Sequence, residues 1–401
     1  MLFGKNVAQL TLDESLVFPS QFSLCLHLRF NQYINTKEIL QMRSTALLAM
    51  TGQSIWLDNI TRKLLDSGQL ATWIKDLSVV GLTSNPSIFE KAIVGSSDYD
   101  AQIRPLMSKG MKSEQIFFEC AISDLIRACD LFKPIYDRTG GIDGWVSLEV
   151  SPLLANDTKA TVAQARDLHA RAKRPNLFIK VPGTPEGIPA IVDLIADGIS
   201  VNVTLLFSKA HFDAASDAYL RGLERRAAAG LPLGDVSSVA SLFVSRWDRK
   251  TAPKLPTELK NTVGIAVSRQ CYNAYCALYA SDRWLALEAK GARPQRLLYA
   301  STSTKDPALP QTLYVEGLAS PRTVNTMPEE TLIALSKGAA IKNVLAPGDT
   351  SWQNTLDAVK KAGVDLDACG KELQIEGRDS FDASWNELIA KIEAKATVLA
   401  K

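Results

Sequence analysis

Lys180 lies within a short apolar run, Leu177, Phe178, Ile179 and Val181, which Pro182, Gly183, Thr184 and Pro185 bring to an end. A charged residue inside a buried strand is costly unless it is paired or gives up its proton. A lysine held neutral by burial is a nucleophile that forms a Schiff base with a carbonyl carbon. The protonated imine is then an electron sink for breaking a carbon–carbon bond. Cleavage and dehydration both need proton transfers, which Asp58 and Glu149 can supply at different carbons. Asn85, Asn202 and Thr204 can hydrogen-bond the hydroxyls of a polyol. Arg246, with Ser241 beside it on the same segment, can clamp a phosphate. Each residue also has a structural reading. Lys180 can snorkel to water or pair with a carboxylate, Arg246 can pair with Asp248, and the amides and hydroxyl can be satisfied strand-end groups.

The elements that must position these residues follow a regular rhythm. After a short helix STALLAM (44–50), strands are expected at 54–60, 78–86, 144–152, 177–183, 200–207, 238–248, 296–303 and 312–320, with helices between them. TRKLLDSGQLATWIKDL reads as one helix. Phe118, Ile122, Leu125, Ile126, Cys129 and Phe132 form a 3.6-period stripe through a long helical region. Short Val/Ile/Leu-rich strands alternating with helices imply a parallel sheet, and eight such units favour a closed (β/α)₈ barrel over an open doubly wound sheet. No GxGxxG follows the first strand, and no GxxxxGK[ST] occurs. Residues 321–401 read as extra helices closing the far side of the barrel.

Strand alternation sorts the candidate residues onto one face. Ser147 and Glu149 oppose Val146, Leu148 and Val150; Asn202 and Thr204 oppose Val201, Val203 and Leu205; Asp58 shares a face with Trp56; Lys180 opposes Ile179 and Val181. Four strands then deliver polar groups to the barrel interior near their carboxyl ends, which is how this fold builds active sites. Stability alone is a poor explanation for four such placements.

Composition narrows the function further. The chain has 401 residues, 46% of them hydrophobic and 22% charged, as in ordinary globular proteins. A net charge of +2 gives no case for a nucleic-acid or anionic-membrane partner, and no apolar run is long enough to span a bilayer. The six cysteines form no CxxC pair and several fall on apolar helix faces, which suggests reduced thiols in a cytoplasmic protein. His27, His169 and His211 lack ligand spacing, so no metal site is expected. Residues 1–42 are irregular and read as an extension outside the main fold, with Met42 or Met50 as alternative starts; residues 43–401 read as one domain.

With these residues placed, the chain resembles the transaldolases. SIWLDNI, GLTSNPSIFEKAI, SLEVSP, FIKVPGT, SVNVTLLFS, SVASLFVSRWD, YASTSTKDP and VNTMPEETL carry the likeness, from about Gln53 to the C-terminus, and their wording is similar to the larger bacterial subfamily. The resemblance implies Lys180 as the Schiff-base lysine and Asp58 as the acid/base at the C4 hydroxyl. It implies that Glu149 works through a water held with Thr204, that Asn85 and Asn202 hold hydroxyls, and that Ser241 and Arg246 bind phosphate. It further implies transfer of a dihydroxyacetone unit between sugar phosphates in the pentose phosphate pathway, without metal or organic cofactor. Smaller transaldolases carry an arginine after the seventh strand; TSTKD stands here, making Lys305 the candidate second phosphate ligand, a point charge in place of a fork. Two other readings stay open: an aldolase that releases dihydroxyacetone to water, and a non-catalytic barrel that binds sugar phosphates.

Overall fold

The computed structural model describes residues 42–304 and 306–399. In chain order the elements are α1 (Ser44–Met50), β1 (Ser54–Asp58), α2 (Arg62–Asp66), α3 (Gln69–Asp76), β2 (Val79–Thr83), α4 (Pro86–Val94), α5 (Asp100–Ser108), α6 (Ser113–Arg138) and β3 (Trp145–Glu149). Then come α7 (Thr158–Ala172), β4 (Leu177–Pro182), α8 (Gly187–Asp197), β5 (Val201–Leu206), α9 (Lys209–Ala228), β6 (Ser238–Phe243), α10 (Ser245–Thr251), α11 (Val263–Leu278), α12 (Asp282–Glu288) and β7 (Arg296–Ala300). The chain continues through α13 (Leu313–Gly317), β8 (Val324–Met327), α14 (Glu329–Lys337) and α15 (Ser351–Lys361) to α16 (Leu366–Leu399). The eight strands pair in parallel in sequence order, and β8 closes on β1 to make the expected barrel.

Alternation along the strands fills the interior. Trp145 stacks on Phe178 with ring centroids 4.0 Å apart, and Trp56 lies 6.1 Å from Phe178. Phe178 and Trp56 sit two residues before Lys180 and Asp58 on their strands, and Trp145 sits four before Glu149, so the aromatic rings form a floor beneath the polar groups. Gly81 makes room for it: a Cβ there would stand 2.6 Å from Trp56 Nε1. The interior is therefore packed rather than open.

Three expectations need correction. The segment 312–320 is not a strand: Leu313–Gly317 is helical, and β8 lies at Val324–Met327. Its buried residues Tyr314, Val315 and Leu318 fall at helical rather than alternating spacing, and Thr312 Oγ1 donates to Glu316 Oε1 across one turn. The single helix after β1 is two helices, because Gly68 at φ +72° turns the chain between them. The final helix does not close the far side. It runs across the carboxyl-end mouth, where Gln374 Nε2 donates to the carbonyls of Gly183 (3.0 Å) and Leu205 (2.9 Å). Leu205 sits at φ +59° in an irregular stretch of β5, and its carbonyl accepts that bond. Gly377 brings α16 close: a Cβ there would meet Leu205, Phe207 and Arg246 Nη1 at 3.1–3.3 Å.

The segment 1–41 and Lys305 lie outside the described residues. Cys120, Cys129, Cys271 and Cys369 are buried free thiols and Cys276 is a half-buried one. No helix among the described residues is long and apolar enough to cross a membrane.

Candidate active site

Strand register brings the predicted chemistry together. Glu149 pairs in register with Lys180, Lys180 with Asn202, and Asp58 with Thr83. A cavity of about 950 Å³ opens above them, lined by Asp58, Asn85, Lys180, Thr204, Ser241 and Arg246 among others.

Lys180 is only 6% exposed, and its Nζ donates to Glu149 Oε2 and to the Ser84 carbonyl, both at 3.2 Å. It neither snorkels to the surface nor joins a surface ion pair. Burial pushes the Glu149 carboxyl up, opposed by the Lys180 ammonium beside it and assisted by the nearby charge of Asp58. The pair sets the amine and a proton-accepting carboxylate in direct contact at the cavity floor.

Asp58 presents its carboxylate from the end of β1, where Oδ1 accepts from Thr83 Oγ1 at 2.8 Å. Thr83 Oγ1 in turn shares a 2.7 Å hydrogen bond with Thr326 Oγ1 of β8. These bonds fix the carboxylate across two neighbouring strands, in reach of the cavity. Among the described residues Thr204 Oγ1, which is buried, has no hydrogen-bond partner, and Thr204 lines the same cavity. A buried hydroxyl left unpaired is costly, so it is prepared for a substrate hydroxyl or a water.

Asn85 does two things at once. Its Oδ1 caps α4 by accepting from Ile88 N at 3.1 Å, leaving its amide nitrogen for the cavity. Asn202 stands one side-chain layer deeper. Its Nδ2 donates to Ser147 Oγ (3.1 Å) and its Oδ1 accepts from Ser241 Oγ (2.7 Å), so both ends of the amide are engaged. Asn202 is fully buried and is not among the residues that line the cavity.

Arg246 does not pair with Asp248. That carboxylate is buried and accepts from the Val263 and Gly264 amides and from Tyr314 Oη, capping α11. Among the described residues Arg246 has no carboxylate within ion-pair distance. Its guanidinium carbon lies 5.3 Å from the Phe243 ring and 5.9 Å from the Phe381 ring. Burial and the neighbouring Arg249 charge both lower its pKa, a situation that a bound anion would relieve.

Sequence reasoning missed the contribution of α16. Leu373, Glu376, Ser380 and Phe381 all line the cavity, and the Phe381 ring centroid is 5.5 Å from Lys180 Nζ. No spacing signal links residue 381 to residue 180. Ser301 was missed as well. It follows β7 at φ +55°, shares a 2.8 Å hydrogen bond between its Oγ and that of Ser245, and lines the cavity. Among the described residues, no cluster of three or more His, Cys, Asp or Glu side chains could hold a metal ion.

A family model described as transaldolase/fructose-6-phosphate aldolase matches residues 55–392. The chain belongs to that family. It is 47% identical over 359 residues to a protein named transaldolase from Acidothermus cellulolyticus, covering 86% of this chain and 95% of that one. Transaldolases of Saccharopolyspora erythraea and Thermobifida fusca are each 46% identical, over 351 and 353 residues. Both alignments cover 86% of this chain, and 95% and 96% of those relatives respectively. The matched span includes every residue of the cavity floor, so the family's enzymes and this chain share the whole barrel.

Proposed function

We propose that this chain transfers a dihydroxyacetone unit from a ketose phosphate, sedoheptulose 7-phosphate or fructose 6-phosphate, to an aldose phosphate, with Lys180 as the Schiff-base nucleophile. The observation that carries the assignment is the buried Lys180 Nζ held between Glu149 and the Ser84 carbonyl at the floor of a polar cavity. Family membership supplies the reaction class, a transferase working through an imine in the pentose phosphate pathway.

The residue roles are those that the family resemblance implies, and the distances above support them. Neutral Lys180 attacks C2 of the ketose, and the carbinolamine loses water as the imine forms. Glu149, with its carboxyl raised by burial, gives and takes the protons of that step through a water that the unpaired Thr204 hydroxyl can hold. Asp58 removes the proton of the C4 hydroxyl; the C3–C4 bond breaks, the aldose phosphate leaves, and the electron pair stays on C3 conjugated with the nitrogen. Reversal with a second aldehyde completes the transfer. Asn85 and Asn202 hold substrate hydroxyls, and Arg246 with Ser241 binds the phosphate, with Lys305 as the second cation. The domain is residues 43–401, and the buried free thiols fit a cytoplasmic location.

The test is a coupled assay of sedoheptulose 7-phosphate with glyceraldehyde 3-phosphate. The reading expects erythrose 4-phosphate and fructose 6-phosphate in equal amounts. Folded protein that binds either sugar phosphate without converting it would establish the binding-barrel alternative instead.

A further inference from the structure

Two aromatic rings line the polar cavity, Phe243 at the end of β6 and Phe381. Phe381 comes from α16, outside the loops that follow the eight strands, and is only 9% exposed although it lines an open cavity. Its ring lies 5.5 Å from Lys180 Nζ and 5.9 Å from the Arg246 guanidinium carbon, and 6.3 Å from the Phe243 ring. It is therefore within 6 Å of both the nitrogen that would hold the ketose carbonyl and the cation that would hold its phosphate. The ring is firmly placed. One turn earlier, Gly377 lets the helix touch Arg246; one turn later, Trp385 packs edge-on against Phe117 at 5.0 Å; Gln374 ties the helix to two strand-end carbonyls. Cation–π attraction to both cations helps to hold the ring, and the ring in turn takes water from them.

We propose that Phe381 decides what becomes of the carbon nucleophile, by keeping bulk water away from it until the acceptor aldehyde arrives. This rests on the Schiff-base reading above. After C3–C4 cleavage, the electron pair on C3 has two exits. In transfer, it forms the new carbon–carbon bond to the acceptor carbonyl carbon, whose oxygen takes a proton. In release, C3 takes a proton from water, a second water adds to C2, and the C2–N bond breaks to return Lys180 as an amine with free dihydroxyacetone. Both exits need the imine hydrolysed at the end, so the water near Glu149 serves both. They differ at C3 alone, and an apolar ring lying near the imine nitrogen on the cavity side dries that carbon without touching the chemistry of the nitrogen. Phe381 is thus a specificity-determining residue, setting transferase against aldolase.

The experiment measures two rates in the same preparations of the full chain with fructose 6-phosphate. One is glyceraldehyde 3-phosphate formed without acceptor; the other is sedoheptulose 7-phosphate formed with erythrose 4-phosphate. Phe381→Ala is expected to raise the ratio of the first to the second by about 10-fold or more. Phe381→Leu, which keeps the apolar bulk and protects the fold, is expected to raise it by a smaller factor. Ile375→Ala, an exposed position on the same helix, should leave the ratio at the wild-type value. An unchanged ratio in both Phe381 variants, with both rates falling together, would reduce Phe381 to a packing residue and overturn the inference. So would an equal rise in the Ile375 control. Wild-type protein that gives neither product overturns the Schiff-base reading itself, which is a different result.

Discussion

The two sides of the cavity are built in different ways. On one side Lys180, Glu149 and Asp58 stand at the ends of adjacent or near-adjacent strands, in register, above a floor of stacked aromatic rings. Their positions follow from the period of a strand and from which neighbours the barrel pairs. On the other side Arg246 and Phe381 come from helices, α10 and α16, and the second of these reaches the mouth from the end of the chain. In the proposed mechanism the strand side carries the bond-making groups, and the helix side the phosphate grip and the screen against water. The covering helix is tied to the mouth by two hydrogen bonds from Gln374 and by the close approach at Gly377. On this proposal rigid strand ends supply chemistry and the covering helix supplies selectivity.

This contrast orders the expected effects. Lys180→Ala removes the nucleophile and should lower turnover by roughly 10⁴-fold or more, while sugar-phosphate binding survives. Asp58→Asn keeps the hydrogen bond to Thr83 but not the base, so kcat for cleavage should fall by roughly 10²–10⁴-fold with KM little changed. Steady-state kinetics on both variants would break the comparison if either retained near wild-type turnover.

On the helix side the losses should be smaller and should appear in binding. Arg246→Ala is expected to lower kcat/KM by about 10–100-fold, mainly through KM for the phosphorylated substrate, with Arg246→Lys recovering part of it. Gln374→Ala leaves the Gly183 and Leu205 carbonyls unpaired and should cost about 1–3 kcal/mol in chemical denaturation. A large loss of kcat from Arg246→Ala at saturating substrate would erase the distinction between the two sides.

The strand side was legible in the sequence because side chains alternate faces along a strand, and Pro, Gly or Asn stands close to the ends of β1 to β4. WVSLEV, LFIKV and VNVTLL announce which face is polar. The helix side was legible only in part. SRWD identifies Arg246, but the sequence left its partner open between Asp248 and a ligand. The structure turns Asp248 toward α11, because two amides and Tyr314 satisfy it there. The error at 312–320 has the same root: a short apolar segment fits a strand or a buried helix until its neighbours are known. Phe381 was invisible, since an aromatic in a helix looks like core wherever it lies. Asn202 was read as a substrate ligand from its face and from the family resemblance; its hydrogen bonds to Ser147 and Ser241 were not legible, because they depend on pairing across three strands.

The smallest effect probes how the covering helix is seated. His211 Nδ1 accepts from Phe207 N at 3.2 Å, and burial together with the Lys371 charge on α16 lowers its pKa to about 4. Its folded pKa lies below its unfolded value. Its stabilising contribution is therefore present above about pH 6.5 and is lost as pH falls through the folded value. Allowing for its partial exposure, about 2 kcal/mol should disappear between about pH 6.5 and pH 4. His211→Asn should flatten that part of the stability–pH curve; an unchanged slope would mean that His211 does not titrate against the helix.

The central claim is that Lys180 forms the imine. Borohydride reduction in the presence of fructose 6-phosphate, followed by peptide mass mapping, tests it most directly. The account predicts one stable adduct, on the peptide containing Lys180, and none in Lys180→Ala. An adduct on a different lysine, or none in folded wild-type protein, would contradict it.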